Sequence, residues 1–316
     1  MNISLNWLKE YLKIARPDHW VKNIFIVPGI ITALLLVENS WGNFSVVTIA
    51  IGFFATCLIA SANYVINEWL DAEFDQFHPT KKMRPVVGGN LKLKYVMLEY
   101  GLLAAGGLLL SLAVNWHFVL MEAWLLVMGI LYNVKPFRTK DIIFLDVLSE
   151  SVNNLIRFMI GWFMITTKFL PPSSILLGYW MVGAFLMATK RLAEYRMIND
   201  PGTAGAYRKS FCYYTEKTLF GSAFFYALCA TFCIGVFLIK YRVEYVLTMP
   251  IMFIVFAYYI MLAFAEDSVV QKPEKLYKAK LLIGLVLLFV VSFLAMTFIN
   301  VPGLHELTSS DLIHLL

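Results

Sequence analysis

Charge is what this sequence has least of. Only 15% of its 316 residues are Asp, Glu, Lys or Arg, against 60% hydrophobic residues and a mean hydropathy of +0.71. Soluble domains carry about 25% charged and about 45–50% apolar residues, so this composition excludes an ordinary soluble enzyme and describes a polytopic membrane protein. Cysteine is also sparse: Cys57, Cys212, Cys229 and Cys233 lie in or beside apolar runs and form no CxxC pair. That pattern indicates neither a disulfide framework nor a zinc site, and leaves the four as small hydrophobes. The net charge of +5 is too small an excess to imply a nucleic-acid partner. The opening MNISLNWLKEYLKIARPDHW has no apolar h-region and no cleavage site, so no signal peptide is expected.

What the chain has instead is apolar runs. A helix crossing about 30 Å of hydrocarbon needs roughly 17–25 apolar residues. Nine such segments are predicted, at about 21–37, 46–70, 95–114, 118–134, 142–166, 174–190, 218–239, 245–264 and 280–299. The expectation is an all-α, polytopic protein of nine transmembrane helices forming one domain over residues 1–316. Within residues 1–20, Leu5, Leu8, Tyr11 and Leu12 recur at helical spacing among Lys9, Lys13 and Arg16. This suits either a helix lying in the membrane interface or a helical cap on the first span. The N-terminus and the loops 71–94, 135–140, 190–217 and 265–280 hold 22 of the 26 lysines and arginines. By the positive-inside rule these segments face the cytoplasm of a cell (inner) membrane and the C-terminal tail lies outside.

Against so apolar a background each polar cluster needs a reason. At the cytoplasmic end of the second span, Asn67, Glu68, Asp71 and Asp75 fall within an arc of about 100° on a continuing helix. Carboxylates this close repel one another and are tolerated mainly with a cation among them, and hard oxygen ligands of this kind suit Mg²⁺ bridging to phosphates. Lys81, Lys82 and Arg84 follow directly, where a phosphate would lie. The bland alternative is a solvated acidic helix end before a topogenic basic loop. In the fifth span Asp146, Glu150, Asn153 and Arg157 project within about 60° of one another. They either line an internal chamber or form a self-satisfied ladder, Glu150 with Arg157 and Asp146 with a loop lysine. After the sixth span, Lys190, Arg191 and Glu194 share a helix face while Arg196 points elsewhere, which suits phosphate binding and positive-inside topology equally. Asn199-Asp200-Pro201-Gly202 reads as a turn. Before the first span, Trp20 is an interfacial anchor, His19 is given no role, and Lys22 is an expected anion contact. Glu99 and Glu122 have no evident partner in sequence.

Together the nine spans, Asn67-Glu68-x-x-Asp71-x-x-x-Asp75 and His78-Pro79-Thr80-Lys81-Lys82-Met83-Arg84-Pro85 resemble the UbiA superfamily of intramembrane prenyltransferases over nearly the whole chain. Arg16-Pro17-x-x-Trp20-Val21-Lys22-Asn23 and Lys190-Arg191-x-x-Glu194-Tyr195-Arg196 are most similar to its phosphoribosyltransferase branch, which acts on decaprenyl phosphate. Two departures matter. Glu68 stands where the family usually has Asp, and Lys190, Arg191, Glu194 and Arg196 occupy the place of a second Asp-rich motif.

The resemblance implies helices around a central chamber open to cytoplasm and lipid. It implies Mg²⁺ held by Asn67, Glu68, Asp71 and Asp75 as the catalytic group. It also implies phosphate or substrate contacts from Lys22, Lys81, Arg84, Asn153, Arg157, Lys190, Arg191, Glu194 and Arg196. The implied reaction is transfer of 5-phosphoribosyl from phosphoribosyl diphosphate to polyprenyl phosphate with release of diphosphate. Two alternatives remain open: joining of an isoprenoid diphosphate to an aromatic or other small acceptor, and an ion-coupled transporter using the Asp146 to Arg157 stripe.

Overall fold

The computed structural model describes residues 9–89, 91–266, 268–271 and 273–308. Among them the regular elements are helical, and no strand occurs. A 3-10 helix, Pro17–Ile26, runs into α1 (Val27–Leu36). It is followed by α2 (Val46–Asp75), α3 (Leu93–Ser111), α4 (Trp116–Asn133), α5 (Leu145–Phe163) and α6 (Ser173–Ile198). The short α7 (Pro201–Tyr207) precedes α8 (Glu216–Tyr241), α9 (Met249–Ala263), α10 (Lys280–Met296) and α11 (Pro302–Thr308). Each of the nine expected segments falls on a helix, and among the described residues seven helices are long and apolar enough to cross a membrane. The other two differ: α5 carries Asp146, Glu150 and Arg157, and α10 has only 17 residues. Large apolar side chains such as Leu102, Leu109 and Phe232 are exposed. That is the surface expected where the solvent is lipid and apolar burial has no driving force.

The chain clusters into two compact units, Met1–Pro171 with Tyr195–Thr218, and Pro172–Glu194 with Leu219–Leu316, where the sequence suggests one domain. In the first unit α2 packs on α3 and α4, and α5 on α1 and α4. The α1–α5 crossing is backbone-close: a Cβ on Gly29 would overlap the Phe158 carbonyl, and one on Gly161 the Ile26 carbonyl. Small residues at such a crossing replace hydrophobic burial with close van der Waals contact. Asn115 caps α4 by accepting from Phe118 N at 2.9 Å, and its amide donates to Phe163 O at the end of α5 at 2.7 Å. Ser45 caps α2 through Thr48 N. In the second unit Phe185 of α6 packs on Phe256 and Tyr259 of α9, and Arg242 donates to the carbonyls of Met296, the last residue of α10, and of Ile299 beyond it.

Three expectations are corrected by the structure. Tyr11, Ile14 and Ala15 are buried against Val65, Val86, Leu91 and Val96, and Tyr11 Oη accepts from Lys92 N at 2.9 Å, while Leu12 is exposed. Of the expected face Tyr11 turns inward, joined by Ile14 and Ala15, and Leu12 does not; Leu5 and Leu8 lie outside the described residues, as does the tail 309–316. The segment from Lys190 is not yet loop, because α6 continues to Ile198. Asp200 does not merely turn the chain: its carboxylate accepts from Thr203 N at 2.7 Å and caps α7. That bond is stronger to the ionised side chain and so holds the Asp200 carboxyl below the ordinary carboxylate range.

Candidate active site at the C-terminal end of α2

The helix α2 runs without a break through Asp75, so the expected projection of Asn67, Glu68, Asp71 and Asp75 onto one arc holds in the structure. What the structure adds is their partners. Asp71 accepts from Lys140 and, at 3.2 Å, from Arg138. Lys140 also donates to Asn133 Oδ1 at 2.7 Å, the same oxygen that accepts from Asn67 Nδ2 at 2.7 Å. Asn133, the last residue of α4, thus ties the acidic face of α2 to the turn at Thr139–Asp141. Asp75 is paired with Arg84 at 2.5 Å, and Arg84 Nε stands 3.9 Å from Glu68.

These cations sit away from water. Burial, only partly offset by Asp71, brings the Lys140 ammonium down to about 8. Burial also works against the Arg84 charge, yet Asp75 and then Glu68 hold its guanidinium above the ordinary value.

A small cleft gathers Asp71 and Asp75 with Arg138, Lys140, Asp141, Phe74, Tyr207, Arg208 and Lys209. Its far wall is the segment after α7, and α5 holds that wall. Tyr214 Oη donates to Asp146 Oδ1 at 2.8 Å, Ser210 Oγ to Asp146 Oδ2 at 3.2 Å, and Arg208 lies 3.9 Å from the same carboxylate. Tyr214 in turn accepts from Phe144 N at 2.7 Å, where Phe144 has φ +63°, a left-handed conformation that a bulky side chain adopts only when its surroundings hold it. Glu150 accepts from Tyr132 at 2.8 Å, and Tyr132 accepts from Arg208 at 3.3 Å.

The upper half of the α5 stripe is therefore neither of the ladders expected. Asp146 and Glu150 position Arg208 from behind. Deeper, Arg157 donates to Asn23 Oδ1 at 2.9 Å and to Asn153 O at 3.1 Å.

The other expected contacts are placed as follows. Lys81 donates to Tyr207 Oη and stands 4.5 Å from its ring, which is 4.6 Å from that of His78. Lys22 bonds His19 Nδ1 at 2.8 Å. Arg196 pairs with Glu216 on a partly exposed surface. Lys190, Arg191 and Glu194 belong to the second unit, where Arg191 and Glu194 are buried and 3.5 Å apart. Glu122 accepts from Thr56 Oγ1.

The cleft cations Arg138, Lys140, Arg208 and Lys209 were absent from the expected site. In sequence they look like topogenic basic loops, and what separates them from that role is the burial of Arg138 and Lys140 and the half-burial of Arg208 beside acids; Lys209 is exposed, 4.0 Å from Asp141.

Among the described residues no three His, Cys, Asp or Glu side chains stand close enough to share one ion. The donor set still suits a hard divalent cation: four oxygen-bearing side chains on one face, with Glu68 Oε1 buried and without a hydrogen-bond partner.

The family follows from comparison with known proteins. The sequence model of the UbiA prenyltransferase family matches residues 26–284. The chain belongs to that family, whose members are enzymes of multi-pass membrane architecture. Among curated relatives, the decaprenyl-phosphate phosphoribosyltransferase of Mycolicibacterium smegmatis is 28% identical over 68% of this chain and 65% of its own length. That of Corynebacterium glutamicum is 28% identical over 66% and 60%, and that of Mycobacterium tuberculosis H37Rv is 30% identical over 68% of each. The chain thus spans a little under two thirds of the length of the first two. A UbiA homolog from Archaeoglobus fulgidus, solved with GPP and Mg²⁺, superposes with a TM-score of 0.68 at 17% identity, covering 92% of this chain and all of the homolog.

Proposed function

We propose that this UbiA-family enzyme transfers 5-phosphoribosyl from phosphoribosyl diphosphate to a polyprenyl phosphate in a cell membrane, with its N-terminus and the cleft on the cytoplasmic side. One observation carries the proposal. The acidic face of α2 shares its cleft with Arg138, Lys140, Arg208 and Lys209, an arrangement suited to a donor bearing several phosphates rather than to an apolar one. Similarity to three phosphoribosyltransferases supports the same donor.

Asp71, Asp75 and Glu68, with Asn67 in support, would hold Mg²⁺, and when bound the ion would neutralise charge developing on the leaving diphosphate. Arg138, Lys140, Arg208 and Lys209 meet the donor's phosphate oxygens. Arg84 is released from Asp75 to do the same, and Lys81, fixed by Tyr207, guards the rim. The bond from the ribose anomeric carbon to diphosphate breaks with its electron pair leaving on diphosphate. A phosphate oxygen of the lipid, already ionised at neutral pH, forms the new bond, so no strong general base is needed. Because donor phosphates are held by cations placed before the reaction, their stabilisation costs little reorganisation in the transition state. The roles expected of Asn153, Arg157, Lys190, Arg191, Glu194 and Arg196 stand to be tested by the same assay.

The deciding experiment is diphosphate release by purified protein with Mg²⁺. Phosphoribosyl diphosphate plus polyprenyl phosphate is set against geranylgeranyl diphosphate plus an aromatic acid. Release requiring both members of the first pair supports phosphoribosyl transfer. Release from the second pair alone returns the chain to aromatic prenyl transfer, and release from neither points to transport.

A further inference from the structure

Each carboxylate on the acidic face of α2 is met by a cation of the chain itself, and the pairing divides that face. Asp71 is held on Oδ1 by Arg138 and Lys140, which come from the turn after α4. Glu68 and Asp75 are held from the other side by Arg84. Its Nη1 stands 2.5 Å from Asp75 Oδ2 and its Nε 3.9 Å from Glu68 Oε2, so only the Asp75 contact is a hydrogen bond. Among the described residues no other cation makes an ion pair with Glu68 or Asp75, although Arg16 lies within electrostatic range of the first and Lys81 of the second.

The setting of Arg84 is that of a side chain able to leave. The side chains of Glu68 and Asp75 are 4% and 2% exposed, whereas that of Arg84 is 17% exposed. Its backbone is fixed on both sides. Arg84 N donates to Lys81 O at 2.9 Å, closing the 3-10 turn Lys81–Met83, and Arg84 O accepts from Val87 N at 3.1 Å. Pro85 follows and favours the extended conformation that Arg84 has, φ −69° and ψ 146°. The guanidinium can therefore withdraw by side-chain rotation with the loop in place.

Glu68 shows that Arg84 does not complete the site. Its Oε1 is buried and has no hydrogen-bond partner, which is costly for a carboxylate oxygen and leaves it directed at a ligand yet to bind. Charge then decides what can enter. With Glu68, Asp71 and Asp75 ionised, Arg84, Arg138 and Lys140 already match them in contact. A divalent cation arriving alone would join a balanced set and would have to drive Arg84 off without giving it another acceptor. A diphosphate arriving with the ion offers the guanidinium paired phosphate oxygens, the geometry a planar fork binds best, and frees the two carboxylates for the metal.

We propose that Arg84 is an exchangeable counter-ion: it withholds Glu68 and Asp75 from the metal until a diphosphate draws it away, so that the site takes Mg²⁺ and diphosphate together and discriminates against the free ion. The assignment rests on the α2 face being the metal site of an enzyme that uses a diphosphate, whichever diphosphate that is.

The test is equilibrium binding to the full-length protein in neutral-lipid nanodiscs, for wild type, Arg84→Gln and Arg84→Lys. Mn²⁺ replaces Mg²⁺ and is titrated alone, with the free ion read by electron paramagnetic resonance. Methylenediphosphonate, which no transfer reaction consumes, is titrated by calorimetry without metal. Arg84→Gln is expected to bind Mn²⁺ alone at least tenfold more tightly than wild type and metal-free methylenediphosphonate at least tenfold more weakly. Arg84→Lys, which keeps the charge, should stay within threefold of wild type for both. Opposite signs from one substitution separate exchange from a structural role, because a damaged site gains affinity for neither ligand. Loss of both ligands in Arg84→Gln would overturn the proposal, as would Mn²⁺ affinity equal to wild type or methylenediphosphonate affinity within twofold of it.

The two proposals fail separately. Opposite shifts in Arg84→Gln, together with diphosphate release from the isoprenoid pair alone, leave the exchange standing and remove phosphoribosyl transfer. Release that requires phosphoribosyl diphosphate and polyprenyl phosphate, with no gain in Mn²⁺ affinity in Arg84→Gln, does the reverse.

Discussion

Asp146 does not line the cleft, yet its removal is expected to disable it. The carboxylate is 0% exposed and accepts from Tyr214 at 2.8 Å and Ser210 at 3.2 Å, with Arg208 at 3.9 Å. Hydrogen bonds to a charged acceptor are worth roughly 1.5–3 kcal/mol each, and truncating one member of a buried charged network costs about 3–5 kcal/mol. Asp146→Ala should therefore loosen the wall bearing Tyr207, Arg208 and Lys209 by about 3–5 kcal/mol, roughly two to three and a half decades in the population of its open form at about 1.4 kcal/mol per decade. Asp146→Asn keeps an acceptor for Tyr214 and gives up the charge, so about 1–2 kcal/mol is expected. Hydrogen–deuterium exchange over residues 207–214 reads the opening directly, and KM for the proposed donor, phosphoribosyl diphosphate, should rise at least tenfold with kcat changing less. If Asp146→Ala left both exchange and donor KM within threefold of wild type, α5 would not be what holds Arg208 in place.

Replacing Asp71 or Asp75 with Asn should reduce diphosphate release by at least about 10³-fold and destabilise the fold by only about 1–2 kcal/mol, since each carboxylate neutralises a buried or half-buried cation, and activity within tenfold of wild type would remove these residues from the catalytic group. Chelation of divalent cations should abolish turnover and added Mg²⁺ restore it; turnover that survives EDTA contradicts the metal assignment. Asn133→Ala severs the link from Asn67 to Lys140 and should raise donor KM several-fold at about 1–2 kcal/mol of destabilisation, checked by steady-state kinetics with a melting curve. Gly161→Val would drive a side chain into the Ile26 carbonyl, so unfolding in detergent should shift by more than about 3 kcal/mol, and a neutral outcome would mean that α1 and α5 can separate.

Hydropathy determined the fold class, because a span is a local property: a run of apolar residues must be helical in lipid whatever its neighbours do. The periodicity of one helix likewise determined that Asn67, Glu68, Asp71 and Asp75 share a face, since 100° per residue needs no tertiary information. What sequence could not supply was pairing between segments far apart. Lys140 meets Asp71 across 69 positions and Tyr207 meets Lys81 across 126, and nothing in a basic loop distinguishes a cation that faces water from one buried on an acid. The inward turn of Ile14 in place of Leu12 has the same origin, for the partners of this segment lie in α2 and in residues 86–96. So does the division of the α5 stripe, where Asp146 and Glu150 serve the wall at Arg208 and Arg157 serves Asn23. Helical period assigns side chains to faces, but only packing decides what stands opposite each face. In so apolar a chain, that choice of partner determines whether a charge positions another residue or is available to substrate.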